Sequence, residues 1–81
     1  MKYENYYFLG IGGISMSALA RYFLHEGRHV AGYDRTRSQL TEALESEGAA
    51  VHYDEDVAQI PAPFLDPDRT VVVYTPAVPR D

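Results

Sequence analysis

Three glycines, Gly10, Gly12 and Gly13, stand where an apolar run, Tyr6-Tyr7-Phe8-Leu9, gives way to Ile14-Ser15-Met16-Ser17. Glycine lets a backbone turn sharply and approach another molecule closely. A helix that begins at such a turn points unpaired N–H groups outward and carries partial positive charge at that end, so its natural guest is an anion, usually a phosphate or pyrophosphate. Asp34 follows Gly12 by 22 residues, near the spacing of about 20 at which an acid receives ribose hydroxyls in dinucleotide-type folds. A carboxylate accepts two vicinal hydroxyls well and repels a 2′-phosphate. The pair points to a nucleotide-type ligand. The alternatives are a tight turn that only packs helix against strand, and an Asp34 that only serves a turn or caps a helix. Ser15 occupies the third position of the G-x-G-x-x-G fingerprint, which predicts either looser helix–strand packing or a hydroxyl that reaches the ligand. Arg35 could contact a phosphate or a base, while Arg37 reads as a solvated turn charge.

Groups that perform chemistry are missing from the pattern. The only lysine is Lys2, so there is no phosphate-loop G-x-x-x-x-G-K-[ST]. There is no cysteine, and His25, His29 and His52 lack metal-ligand spacing. His52 falls in a strand near the edge of the site, where packing is the simpler role. Asp54-Glu55-Asp56 is a carboxylate run, but adjacent turn positions point apart, so it reads as a solvated acidic turn. The chain can hold a ligand; no residue set in it makes or breaks bonds.

The elements that must position these residues follow from periodicity. Residues 6–9 form a nearly all-apolar run, as in a strand buried on both faces of a parallel sheet. Residues 13–26 turn helical, with Met16, Leu19 and Phe23 inward beside Ala20 and Leu24, and Gly27 at the end. Residues 30–33 give a second strand ending at Asp34. A polar turn follows, with Thr36 or Ser38 as helix cap and Thr36–Gln39 at capping-box spacing. The second helix spans 39–47, with Leu40, Ala43 and Leu44 inward, and Gly48 ends it. Residues 50–53 form a third strand. Pro61, Pro63 and Pro67 forbid a long helix in the next stretch. Thr70-Val71-Val72-Val73-Tyr74 is the clearest strand, and Thr75-Pro76-Ala77-Val78-Pro79 leaves it as a rigid loop. The alternation predicts an α/β fold: a Rossmann-like open parallel sheet with flanking helices, joined by right-handed crossovers. The Gly loop, Asp34 and the 75–79 loop all fall at the carboxyl ends of strands, where such sheets bind ligands.

An 81-residue chain forms one small domain at most, with a modest core. Its net charge of −5 argues against nucleic-acid and anionic-membrane partners, which want clustered Lys and Arg. No signal-peptide pattern opens the sequence and no apolar run nears membrane-spanning length, so the expectation is a soluble, cytoplasmic protein.

Phe8-Leu9-Gly10-Ile11-Gly12-Gly13-Ile14, Met16-Ser17-Ala18-Leu19, Glu26-Gly27, Gly32-Tyr33-Asp34, Leu40-Thr41, Glu47-Gly48-Ala49, His52-Tyr53 and the run from Val71 to Pro79 together resemble the N-terminal domain of the Mur ligases. The branch most similar joins L-alanine to UDP-N-acetylmuramate in peptidoglycan synthesis. The resemblance covers nearly the whole chain in order and departs at Ser15, where the family usually has glycine. It implies that residues 1–81 form the N-terminal, UDP-sugar-binding Rossmann-like domain of a three-domain cytoplasmic enzyme. ATP and Mg2+ would belong to a central domain and a third domain would close the site. The family converts the muramyl carboxylate into an acyl phosphate, which the amine of L-alanine attacks. Carried over by position, Gly12, Gly13, Ile14 and Ser15 would cradle the diphosphate of UDP-N-acetylmuramic acid through their backbone N–H groups, with Gly10 in the same substrate-binding set. Asp34 would face the ribose or uracil side, with Arg35 among the substrate-binding residues, and Thr75, Pro76 and Ala77 would line the pocket near the uridine or sugar. The partners implied are that substrate and the enzyme's own central and C-terminal domains. The family's domain continues with another strand and helix, so a truncated chain is expected, with an edge strand through which a homodimer could form. Competing readings are an NAD(H)-binding regulatory or oxidoreductase domain, a muropeptide-recycling UDP-N-acetylmuramate ligase, and a catalytically silent interaction module.

Overall fold

Parallel strands buried on both faces need helices between them, and the chain supplies them in order. The computed structural model describes residues 3–54 and 57–74. β1 (Asn5–Leu9) leads through the Gly loop into α1 (Ile14–His25) and back to β2 (His29–Tyr33). α2 (Gln39–Ser46) returns to the short β3 (Ala50–His52), and two 3-10 turns (Val57–Gln59 and Ala62–Leu65) cross to β4 (Thr70–Val73). All strands are parallel in the order β3-β2-β1-β4, the α/β arrangement the alternation predicts. Tyr7 of β1 stands opposite Ala31 of β2 and Val72 of β4, so the carboxyl ends of β1 and β2 lie side by side. No helix among the described residues is long and apolar enough to cross a membrane.

Strand alternation sorts β1 between two faces. Tyr6 and Phe8 face the helices and join Ile11, Met16, Ala20, Phe23, Val30, Leu44 and Ala49 in one core cluster. Tyr6 stacks on Phe23 with ring centroids 3.8 Å apart. On the other face, Tyr7 lies against Phe64 of the second 3-10 turn, and Asn5 Nδ2 donates to the Pro63 carbonyl at 3.0 Å.

Several local expectations change. Leu19 is 39 % exposed, and Ser17 is buried in its stead, its hydroxyl donating to the Ile14 carbonyl. With apolar residues spread around α1, spacing alone does not select the buried stripe. Ser15 is exposed, so it does not loosen the helix–strand contact, where Met16 and Ser17 stand. Ser38, not Thr36, caps α2, and its box partner is Thr41. Leu40 and Ala43 are half-buried, whereas Thr41 is fully buried beside Leu44.

Candidate functional site

The site begins with the way the Gly loop is tied down. Gly10 has φ +81°, a left-handed conformation that a Cβ would penalise. It turns the chain so that the Gly10 and Ile11 N–H groups both donate to the Tyr33 carbonyl, at 2.8 and 3.1 Å. Ile11 then drops into the core, fully buried. The Gly12 N–H donates to Asp34 Oδ2 at 2.7 Å, and the Gly13 N–H donates to the Gly10 carbonyl at 3.0 Å. Gly12 is boxed in: a Cβ there would lie 2.8 Å from both Asp34 Oδ2 and Thr41 Cγ2. Its φ is not positive, so this glycine is set by close approach and not by backbone conformation.

The amides of residues 10 to 13 are therefore all committed inside the protein. Those of Ile14, Ser15 and Met16 are not: among the described residues none of the three has an acceptor. Gly13 is the N-cap of α1 and supplies no side-chain hydrogen bond, and the first turn holds no acidic residue. Three aligned donors and the positive end of a twelve-residue helix thus converge on one point. Of the residues expected to cradle a diphosphate, Ile14 and Ser15 have amides to offer, and Gly12 and Gly13 shape the turn that presents them. Met16 adds a third donor that the motif did not single out. Ile14 is 83 % exposed at the same end.

Asp34 stands beside this end, half-buried. Its Oδ2 holds Gly12, and its Oδ1 accepts from the Thr36 N–H at 3.1 Å. It therefore serves the turn and clamps the loop. A carboxylate has about four lone-pair positions, which leaves acceptors for a ribose hydroxyl. Arg35 is exposed next to it. Arg37 pairs with Glu45 at 3.2 Å and lies over the Tyr53 ring, 4.6 Å from its centroid, which matches a surface charge. Thr75, Pro76 and Ala77 lie outside the described residues, as do Glu55 and Asp56 of the acidic turn.

His52 is half-buried and has a partner at each ring nitrogen. The Asp54 carbonyl can only accept, so Nδ1 (2.8 Å away) carries the proton, and Nε2 accepts from the Tyr7 hydroxyl at 2.5 Å. Burial first, and the nearby Tyr33 second, push the Tyr7 phenol above its ordinary pKa. This pairing ties β3 to β1 across the face opposite the helices. Among the described residues, no three His, Asp or Glu side chains converge as metal ligands.

Two residues that matter here were not singled out from the sequence: Ile11, which anchors the loop, and Thr41, whose methyl abuts Gly12. An apolar residue inside a glycine motif is a signal for the first. The Ser38-x-x-Thr41 spacing is a signal for the second.

Known proteins are similar to this chain. The model of the Mur ligase family, catalytic domain, matches residues 5–81. A UDP-N-acetylmuramate–L-alanine ligase of Phocaeicola vulgatus is 60 % identical over 76 residues, covering 94 % of this chain and 17 % of that protein. The protein of the same name from Parabacteroides distasonis is 62 % identical over 74 residues, 91 % of this chain and 16 % of its own length. That of Cytophaga hutchinsonii is 55 % identical over 75 residues, 93 % of this chain and 16 % of its own. The chain thus spans about one sixth of the length of the curated relatives it matches.

Proposed function

Because the chain belongs to the Mur ligase family, we propose that it is the N-terminal, substrate-holding part of an ATP-dependent ligase, and that it binds the UDP moiety of UDP-N-acetylmuramic acid. The name carried by its relatives supports L-alanine as the amino acid joined. The observation that carries the reading is the open end of α1, where the Ile14, Ser15 and Met16 amides lack acceptors among the described residues. Diphosphate oxygens would supply those acceptors and meet the helix dipole. Asp34 would accept a ribose hydroxyl on its remaining lone pairs, with Arg35 at the rim and Thr75, Pro76 and Ala77 completing the uridine side.

The role of these residues is to bind and orient. In the whole enzyme, activating the muramyl carboxylate and joining it to the alanine amine would belong to the parts of the protein that hold ATP and Mg2+. The residues present do not fit ATP or Mg2+: there is no phosphate-loop lysine, and no carboxylate cluster among the described residues. No chemical step is assigned to them. A cytoplasmic setting, where UDP-sugar and ATP are both at hand, belongs to the same reading.

Calorimetric melting with UDP-N-acetylmuramate, UDP and NADH tests it, together with amide NMR of the bound chain. A ligand at 100 times its Kd stabilises by about 2.7 kcal/mol, so the UDP compounds should raise the melting temperature and move the Ile14, Ser15 and Met16 amide resonances. A larger rise with NADH would overturn the reading. UDP binding that leaves those three amides unmoved would place the ligand elsewhere.

A further inference from the structure

The binding loop is touched by a side chain from the neighbouring helix. Thr41 lies at the third position of α2 and is fully buried. Its hydroxyl accepts from the Ser38 N–H at 2.8 Å and donates to the Ser38 carbonyl at 3.0 Å. Its own N–H donates to Ser38 Oγ at 3.2 Å. Threonine is β-branched, so fixing the hydroxyl also fixes the methyl on the same carbon. That methyl, Cγ2, abuts Gly12, since it would lie 2.8 Å from a Cβ placed there. The Asp34 carboxylate holds Gly12 as well, through the 2.7 Å hydrogen bond from its N–H. Gly12 is thus held between a methyl and a carboxylate, two residues before the helix whose first three amides are open.

We infer that Thr41 is a positioning residue for UDP-sugar binding: its hydroxyl locks onto the α2 cap, and its methyl sets where Gly12, and with it the open end of α1, can sit. The inference rests on the diphosphate reading of that end. It assigns the two atoms on the Thr41 Cβ to two separate tasks, which conservative substitutions separate. T41S keeps the capping hydroxyl and removes the methyl. T41V keeps the methyl and removes the hydroxyl, leaving the N–H of half-buried Ser38 without its acceptor, while the Ser38 carbonyl keeps the Glu42 N–H at 2.9 Å.

The test compares UDP and UDP-N-acetylmuramate affinity, by titration calorimetry, with melting temperature for both variants in the longest protein that carries this chain. Small misplacements at a binding or reacting centre carry large penalties, so T41S should weaken UDP binding by roughly fivefold to tenfold. T41V should retain affinity better than T41S while melting lower. The two rankings then cross: serine is the more stable variant and valine the better binder. In the NMR spectrum, T41S should shift the Gly12, Ile14 and Ser15 amides more than T41V does. Affinities that follow the melting temperatures would overturn the inference, because a merely structural role predicts that order. Wild-type affinity in T41S would overturn it too, with the diphosphate reading intact. If the unchanged protein bound no UDP compound, the diphosphate reading would fall and the positioning role with it.

Discussion

α1 and α2 end alike and begin differently. At the end of α1, the Arg28 N–H donates to the Phe23 carbonyl at 2.9 Å and the Gly27 N–H to that of Leu24 at 3.0 Å. At the end of α2, the Ala49 N–H donates to Leu44 at 2.9 Å and the Gly48 N–H to Glu45 at 3.2 Å. Both are Schellman closures that satisfy otherwise orphaned carbonyls. At the other end the parallel stops. Ser38 and Thr41 close α2 with a reciprocal box, and Glu42 adds negative charge in the first turn. α1 starts at Gly13, with no capping side chain and no acid in its first turn. One chain builds a complete cap on one helix and omits it on the helix that follows the Gly loop. The omission leaves donors and dipole for something other than the protein, which is why the open end, and not the glycines as such, carries the functional reading.

The largest effect should come from breaking the place where the two helix starts meet. A G12A substitution puts a methyl 2.8 Å from Asp34 Oδ2 and from Thr41 Cγ2 at once. Overpacking of this kind costs about 1–3 kcal/mol, and each kcal/mol lowers the melting temperature of a domain this size by about 4–8 °C. Loss of UDP binding should accompany a fall of about 10 °C. A G12A protein that melts and binds like wild type would show that the loop relaxes freely away from α2.

Giving α1 the cap it lacks should have the next largest effect, and here stability and binding should part. Gly13 has φ −65° and ψ 155°, an ordinary extended conformation for an N-cap, and a Cβ there meets nothing nearer than the Gly10 carbonyl oxygen at 3.4 Å. In G13D, the new carboxylate can accept from the Ser15 or Met16 N–H. Exchanging glycine for aspartate at an N-cap is worth only a few tenths of a kcal/mol, so the melting temperature should hold or rise slightly. UDP affinity should fall by more than about tenfold, because the carboxylate occupies the donors and repels the diphosphate. Undiminished affinity would mean that the ligand does not use this end of the helix.

Much of this arrangement is legible in the sequence, and the unread part has a physical cause. The strand–glycine–helix succession marks α1, and Gly27 and Gly48 mark both helix ends, because turns and caps depend on local backbone chemistry. The inward side of α1 is not settled by spacing, since Leu19 satisfies the same three-and-four rule as Ala20 and Phe23. Tertiary packing chooses Ser17 and leaves Leu19 outside. Asp34 is legible as an acid at the right distance from Gly12. That it grips the Gly12 amide is a contact across two strands, and a separation of 22 residues suits a loop clamp as well as a ribose acceptor. Thr41 is the hardest to read. A threonine in the first turn of a polar-looking helix suggests surface, and only the Ser38-x-x-Thr41 spacing hints at a box; its burial comes from the loop packed over it.

The smallest effect should come from weakening the finished cap without moving what leans on it. S38A removes the oxygen that accepts the Thr41 N–H, a loss of about 1 kcal/mol at a helix N-cap. The melting temperature should therefore drop by about 4–8 °C for a domain of this size. The Thr41 hydroxyl, however, is oriented by the backbone N–H and carbonyl of residue 38, and alanine keeps both. The methyl against Gly12 stays aimed, and UDP affinity should remain within about twofold of wild type, since no diphosphate donor has been touched. G13D and S38A then form a matched pair. Adding a cap to α1 spares stability and removes binding; subtracting one from α2 lowers stability and spares binding. Should S38A lose affinity in proportion to its stability, the two helix starts would be one cooperative unit, and the separation drawn between a finished end and an open one would not hold.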